Sequence, residues 1–179
     1  MIVYICKLAK FNKKEFLSNL PNNVSIVNNE STKIECTISV SNINKKFVIY
    51  SNSNFLFIFT NKKSEKRKIF KELYSIFQED ISYFNPNYED EYNFLQSFEE
   101  NVSLKFIHKN KIVYSNKLTN MYFNKILDDN YYLFEAKIEL NPETHCFFLY
   151  YVDAIKIKDK FKDNINHILS LFEKGWAVA

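Results

Sequence analysis

The sequence predicts an α+β fold in which antiparallel hairpin and meander strands form the sheet and amphipathic helices pack on one face. Three observations lead there. Several runs alternate apolar and polar residues at the period of a strand, two stretches repeat apolar residues at the period of a helix, and short polar segments join neighbouring strand runs. The 179 residues suit a single domain over 1–179, or two lobes, 1–80 and 81–179. With 46% apolar and 17% aromatic residues, including 18 Phe and 12 Tyr, the chain can bury enough surface to offset the entropy of ordering it.

Residues 2–8 read as a buried strand. The next segment starts a helix: Asn12 is placed at the N-cap, Glu15 completes a capping box, and Phe11 and Phe16 hold the positions of a hydrophobic staple. Pro21 marks its end. From Lys33 to Val40 the alternation is strict, with Ile34, Cys36, Ile38 and Val40 on one face. Two β-rich runs, Phe47 to Tyr50 and Phe55 to Phe59, flank a Ser-Asn-Ser-Asn turn and complete a meander. Ser64 is then expected to cap a helix whose Ile69, Phe70, Leu73, Ile76 and Phe77 form one stripe.

The second half follows a similar plan. Asn85-Pro86 leads into a helix over about Tyr88 to Glu99, followed by strands near Val102 to His108 and Lys111 to Tyr114. Tyr132, Phe134, Ala136, Ile138 and Leu140 alternate along another strand, Asn141-Pro142-Glu143-Thr144 turns the chain, and His145 to Val152 reads as one long strand. Phe161, Ile165, Ile168, Leu169 and Phe172 make the stripe of a closing helix. Gly175, the sole glycine, is expected at a left-handed C′ position, with Trp176 packing back on Leu171. Both halves thus end strand-strand-helix, which fits either a diverged duplication or a common unit used twice.

One glycine excludes a good deal. A phosphate-binding loop, a dinucleotide fingerprint, a kinase Gly-rich loop and a nucleophile elbow all need glycine where backbone approaches a ligand or takes positive φ. The KH loop and the glycine-bearing RNA-recognition motif are excluded likewise. No cofactor is expected. Cys6, Cys36 and Cys146 are odd in number, scattered and set in apolar runs, which predicts reduced, buried thiols and a cytoplasmic setting. The start has no signal-peptide pattern and no run approaches 18 apolar residues, so neither secretion nor a membrane span is expected. Lys, Asn, Ile, Phe and Tyr dominate, all with A- and T-rich codons, so lysine abundance reflects coding bias as much as selection. The 23 Asn point to a mesophilic source.

His108, His145 and His167 are few for a metal site, and no CxxC or HxxxH spacing occurs. His108 reads as a core or rim residue of a strand, and His167 as a solvated helix position. On a strand, His145 and Cys146 point to opposite faces and cannot form a Cys-His pair.

The sharpest catalytic pattern is Glu135-Ala136-Lys137, a Glu-x-Lys with Asp128 and Asp129 a few residues ahead. Over about ten residues it resembles nucleases of the PD-(D/E)xK type. That resemblance implies that Asp129 and Glu135 hold Mg²⁺ while Lys137 stabilises charge or orients the attacking water. A strand with one solvated face produces the same tripeptide, the Asp spacing is short for the motif, and no Pro precedes the Asp.

Charge is arranged unevenly. Residues 79–100 carry seven acids and no Lys or Arg, a local −7 in a chain of net +3, which leaves +10 elsewhere. Within that stretch Glu89, Asp90 and Glu91 are flanked by Tyr88 and Tyr92, a mixture suited to docking a basic partner; carboxylates in a first turn also simply favour the helix dipole. Lys62, Lys63, Lys66, Arg67 and Lys68 surround one helix start, and Lys156, Lys158, Lys160 and Lys162 lead into another. Cations there oppose the dipole by about 0.3–1 kcal/mol each, a pattern that suits an anionic partner. Very little arginine is present, so base-specific reading is not expected.

These features together predict a non-catalytic binding or adaptor subunit that docks through charged and aromatic surfaces to a protein partner. Sequence-nonspecific nucleic-acid binding through the lysine clusters is the alternative, and an Mg²⁺ nuclease the third reading.

Overall fold

A computed structural model describes residues 1–98, 101–108, 111–115 and 131–176. The fold is α+β, and the chain divides into two compact units, Met1–Phe84 and Asn85–Ala179. The boundary falls after Phe84 rather than at residue 80 because a short strand, β6 (Ile81–Tyr83), pairs back onto β1 (Ile2–Leu8), with Cys6 opposite Tyr83.

The first unit is an antiparallel sheet in the order β2-β3-β4-β5-β1-β6, where β2 is Val24–Asn29, β3 Lys33–Val40, β4 Ile43–Tyr50 and β5 Phe55–Thr60. Strict alternation in β3 buries Ile34, Cys36, Ile38 and Val40 on one face. The β3–β4 turn is two residues long with Ser41 and Asn42 both at positive φ, 52° and 64°, the geometry whose twist matches a hairpin. It lets β4 begin at Ile43, ahead of the apolar run that announces it. β2 was not expected: it is Asn-rich, and Val24 is its one buried residue.

Helix α1 (Lys13–Ser18) starts as the sequence predicts. Asn12 Oδ1 accepts from the Glu15 N–H at 3.1 Å, and the Phe11 and Phe16 rings meet at 5.5 Å. Helix α2 (Lys66–Phe77) buries Ile69 and Leu73 and stacks Phe70 on Tyr83 at 4.2 Å. Ser64 does not cap it. A 3-10 turn, Lys63–Glu65, takes up Ser64, and the chain enters α2 already coiled, with Glu65 at the N-cap.

In the second unit, Asn87 caps helix α3 (Tyr88–Gln96). The sheet order is β8-β7-β9-β10-β11, all neighbours antiparallel: β7 Val102–His108, β8 Lys111–Ser115, β9 Tyr131–Asn141, β10 Cys146–Tyr150 and β11 Ala154–Ile157. Asn141 Oδ1 accepts from the Glu143 and Thr144 N–H groups, fixing the predicted β9–β10 turn. His145 belongs to that turn, exposed at φ 53°, not to a strand.

The long strand expected over His145 to Val152 breaks after Tyr150. The Asp153 N–H donates to the Tyr151 carbonyl at 2.6 Å, closing a three-residue γ-turn with Val152 at φ 60°, and the Tyr151 N–H donates to Ala154 across it. The chain therefore returns as β11.

A 3-10 segment, Asp159–Asn164, precedes helix α4 (Ile165–Gly175). Phe161 belongs to that segment, and α4 buries Ile168, Leu169 and Phe172. They pack on the sheet face that carries Ala136, Ile138, Phe148 and Tyr150, together with Phe94 and Leu95 of α3. Gly175 is the last helical residue and not a left-handed C′ glycine. Its role is steric: a Cβ there would lie 2.5 Å from Phe94 Cδ2. Trp176 packs on the rings of Phe94 at 3.9 Å and Phe172 at 5.3 Å. Both units share a hairpin, a 3-10 turn and a helix in that order, but the strand orders around this segment differ.

Candidate functional site

Helix α3 carries the acidic segment, and a turn of 100° per residue sends its first acids to different sides. Glu89 is exposed, Asp90 and Tyr92 are half-buried, and Glu91 is 4% exposed. The Glu91 carboxylate accepts from the Tyr150 hydroxyl at 2.8 Å. Glu91 is therefore no part of an exposed docking surface, a correction to its sequence reading. Its inward aim follows from its place one turn before Phe94 and Leu95, the residues α3 buries. Of Tyr88 only the backbone is described.

The first basic cluster lies in the first unit. Lys62, Lys63, Arg67 and Lys68 are exposed, and the first turn of α2 holds no acid. Glu65 offers no cap hydrogen bond, because its carboxylate accepts from Lys45 Nζ at 2.8 Å and from Thr60 Oγ1 at 2.6 Å. Those bonds, that of Lys45 foremost, hold the Glu65 carboxyl below the usual carboxylate range. Lys66 turns inward, its ammonium 4.4 Å from the Tyr83 ring centroid and 4.9 Å from that of Tyr4. A cavity of about 220 Å³, lined by Asn44, Lys45, Lys46, Phe59, Thr60 and Asn61, opens beside this cluster.

The second basic cluster lies in the second unit. Lys156, Lys158, Lys160 and Lys162 are exposed along β11 and the 3-10 segment after it. Register places Lys137 and Lys156 on either side of Leu149, on the sheet face opposite Phe148 and Tyr150. Half-buried Phe147 shares that face. Its ring has Lys137 Nζ at 4.4 Å and Lys158 Nζ at 5.3 Å, and meets the Phe161 ring edge-on at 6.1 Å. Lys160 Nζ lies 4.7 Å from the Phe161 centroid.

Glu135 and Lys137 both stand on this open face, as alternation along β9 requires. Glu135 Oε2 accepts from the Tyr151 hydroxyl at 2.7 Å, and its Oε1 lies 3.3 Å from Lys105 Nζ. Burial foremost, then the bond to Glu135 and its charge, push the Tyr151 hydroxyl well above its ordinary range. Asp128 and Asp129, the other acids of the nuclease pattern, lie outside the described residues. Among the described residues no three His, Cys, Asp or Glu side chains gather closely enough to hold a metal ion.

The sequence reading missed Lys105, Phe147, Tyr151 and Phe161 as members of this face. Phe147 and Tyr151 were assigned to a continuous strand, and Phe161 to the stripe of a helix. A γ-turn centred on a valine has no compositional signal, so the rearrangement it causes was hidden.

All three cysteines are buried and take part in no disulfide. Burial, with Glu35 adding to it, pushes Cys36 up to about 12, and burial raises Cys146. No helix among the described residues is long and apolar enough to cross a membrane. No protein-family model matches the chain, and no curated protein matches it either.

Proposed function

We propose that this chain acts by contact, as a non-catalytic binding subunit that docks into a larger assembly through charged and aromatic surfaces. One observation carries the reading: Lys62, Lys63, Arg67 and Lys68 are all exposed at the start of α2, and Glu65, the nearest acid, is bonded to Lys45 and Thr60. Positive charge at a helix N-terminus is locally unfavourable, and an anionic partner surface offsets that cost. Glu89 and the exposed part of Asp90 offer a smaller patch of opposite sign.

The test is affinity capture from the source cell with the wild-type chain, with Lys62, Lys63, Arg67 and Lys68 changed to Glu, and with Glu89 and Asp90 changed to Lys. Loss of a specific partner from the first variant supports docking through the basic cluster. An identical partner set for all three chains contradicts it. Glu91 is left unchanged, because a substitution there strikes the core.

A second reading, sequence-nonspecific nucleic-acid binding, draws support from the lysines seated on phenyl rings in the second unit. The scarcity of arginine leaves base-specific recognition without its usual side chain.

A further inference from the structure

We propose that the lysine-bearing sheet face around Phe147 and Phe161 is a platform for single-stranded nucleic acid; the proposal rests on the second reading above and gives it a site. Lys137, Lys156, Lys158, Lys160 and Lys162 are all exposed on or beside this face. Among the described residues, the acids on or next to this face are Asp153, Asp159, Asp163 and Glu139, whose carboxylate lies 3.6 Å from His145 Nδ1, while Glu135 is paired with Lys105. Among the described residues the five exposed lysines outnumber these acids, which suits an anionic occupant.

The rings narrow the choice of anion. Cations alone would serve an acidic protein surface, and phenyl groups set between them match a nucleic-acid strand, which presents phosphate and π-face alternately. Half-buried Phe147 and Phe161 meet edge-on at 6.1 Å, with ammonium groups 4.4–5.3 Å from their centroids. Bases stack on such rings with little regard to sequence. In a duplex the base faces are hidden, so the rings favour a single strand. A base that stacks on either ring displaces an ammonium group from its face, which frees that lysine to meet phosphate.

The platform has a distinct structural origin. Strand alternation puts Phe147 on the face opposite Phe148, so it does not join the aromatic core under α4. The 3-10 segment Asp159–Asn164 brings Phe161 to it, which a continuous helix from Phe161 to Phe172 would not do.

Fluorescence anisotropy on the full chain tests this, using a labelled 20-mer of oligo-dT and a duplex of the same length at two salt concentrations. The single strand is expected to bind more tightly than the duplex. Phe147→Leu with Phe161→Leu, which keeps apolar packing, is expected to weaken single-strand binding by about tenfold or more and leave duplex binding unchanged. Lys158→Gln with Lys160→Gln alters exposed side chains and so does not threaten the fold. It is expected to weaken both ligands and to reduce the single-strand salt slope by about 1.4, the share of two phosphate contacts. Unchanged single-strand affinity in both variants overturns the platform. If binding then follows Lys62, Lys63, Arg67 and Lys68 instead, the nucleic-acid reading stands without this site. Absence of binding to either strand form at low salt removes the platform and the nucleic-acid reading together.

Discussion

The Tyr150 hydroxyl donates to the Glu91 carboxylate at 2.8 Å, with the tyrosine fully buried and the glutamate nearly so. A charge-bearing group on the helix that looked most like a docking surface is thus fastened to strand β10 of its own unit. Removing one donor from a buried carboxylate leaves its desolvation less compensated, at a cost of about 1–3 kcal/mol. Tyr150→Phe is expected to lower the denaturant midpoint accordingly. A midpoint equal to wild type would show that this bond contributes nothing to stability.

Gly175 and Phe94 form a second such pair. In an exposed helix, Gly→Ala is stabilising by about 1 kcal/mol. Here the added Cβ would sit 2.5 Å from a ring already in contact with Phe98, Tyr150, Phe172 and Trp176, so the ring has no cheap way to move. Gly175→Ala is expected to destabilise by about 1–3 kcal/mol, the usual cost of overpacking. In a Phe94→Leu background the same change is expected to cost much less. Equal costs in the two backgrounds would place the clash elsewhere.

These two pairs show what was legible in the sequence and what was not. Periodicity placed β3, both long helices and the capped start of α1, because each of those signals is local. The same periodicity assigned Gly175 a turn conformation, since a lone glycine after a helical stripe resembles a helix stop; its true cause is a ring from α3, dozens of residues away in the chain. Glu91 sits one turn before both Phe94 and Leu95, a helical spacing that marks it as inward, but its charge beside Glu89 and Asp90 reads as part of one exposed acidic patch. The open face of the second unit was half legible. Lys156, Lys158 and Lys160 stand out in the sequence as a basic cluster and Lys137 as the lysine of the nuclease pattern, but Phe147 reads only as a strand residue and Phe161 as part of a helix stripe.

Val152 supplies a stability prediction of opposite sign. A β-branched residue at φ 60° is sterically strained, and left-handed backbone costs an ordinary residue about 1–2 kcal/mol. Asn tolerates this region well and keeps a side chain at a half-buried position. Val152→Asn is expected to raise stability by about 1 kcal/mol, visible as a higher thermal midpoint. A fall in the midpoint would mean that the contacts of the valine side chain outweigh its backbone strain.

Thiol chemistry checks the core independently. Cys6, Cys36 and Cys146 are buried and in no disulfide, and Cys36 is pushed up to about 12, so its thiolate is scarce at pH 8. A thiol reagent is expected to react slowly with the native chain and to titrate three thiols quickly in denaturant. Rapid reaction of any of them under native conditions would contradict the burial.

Acid titration reports on Glu65. The hydrogen bonds from Lys45 and Thr60 depress its folded pKa below the ordinary value, so the unfolded chain takes up its proton first as pH falls. The stabilisation from this group is complete above the unfolded value of about 4.3. It fades as pH drops through the lower folded value. Lys45→Met removes the principal donor and is expected to flatten the loss of stability between that pair of values, with the difference from wild type largest near neutral pH and vanishing at strongly acidic pH. Denaturant midpoints measured for both chains from about pH 2 to about pH 7 check this. A difference that stays constant across the range would assign the role of Lys45 to packing along its alkyl chain rather than to its bond with Glu65.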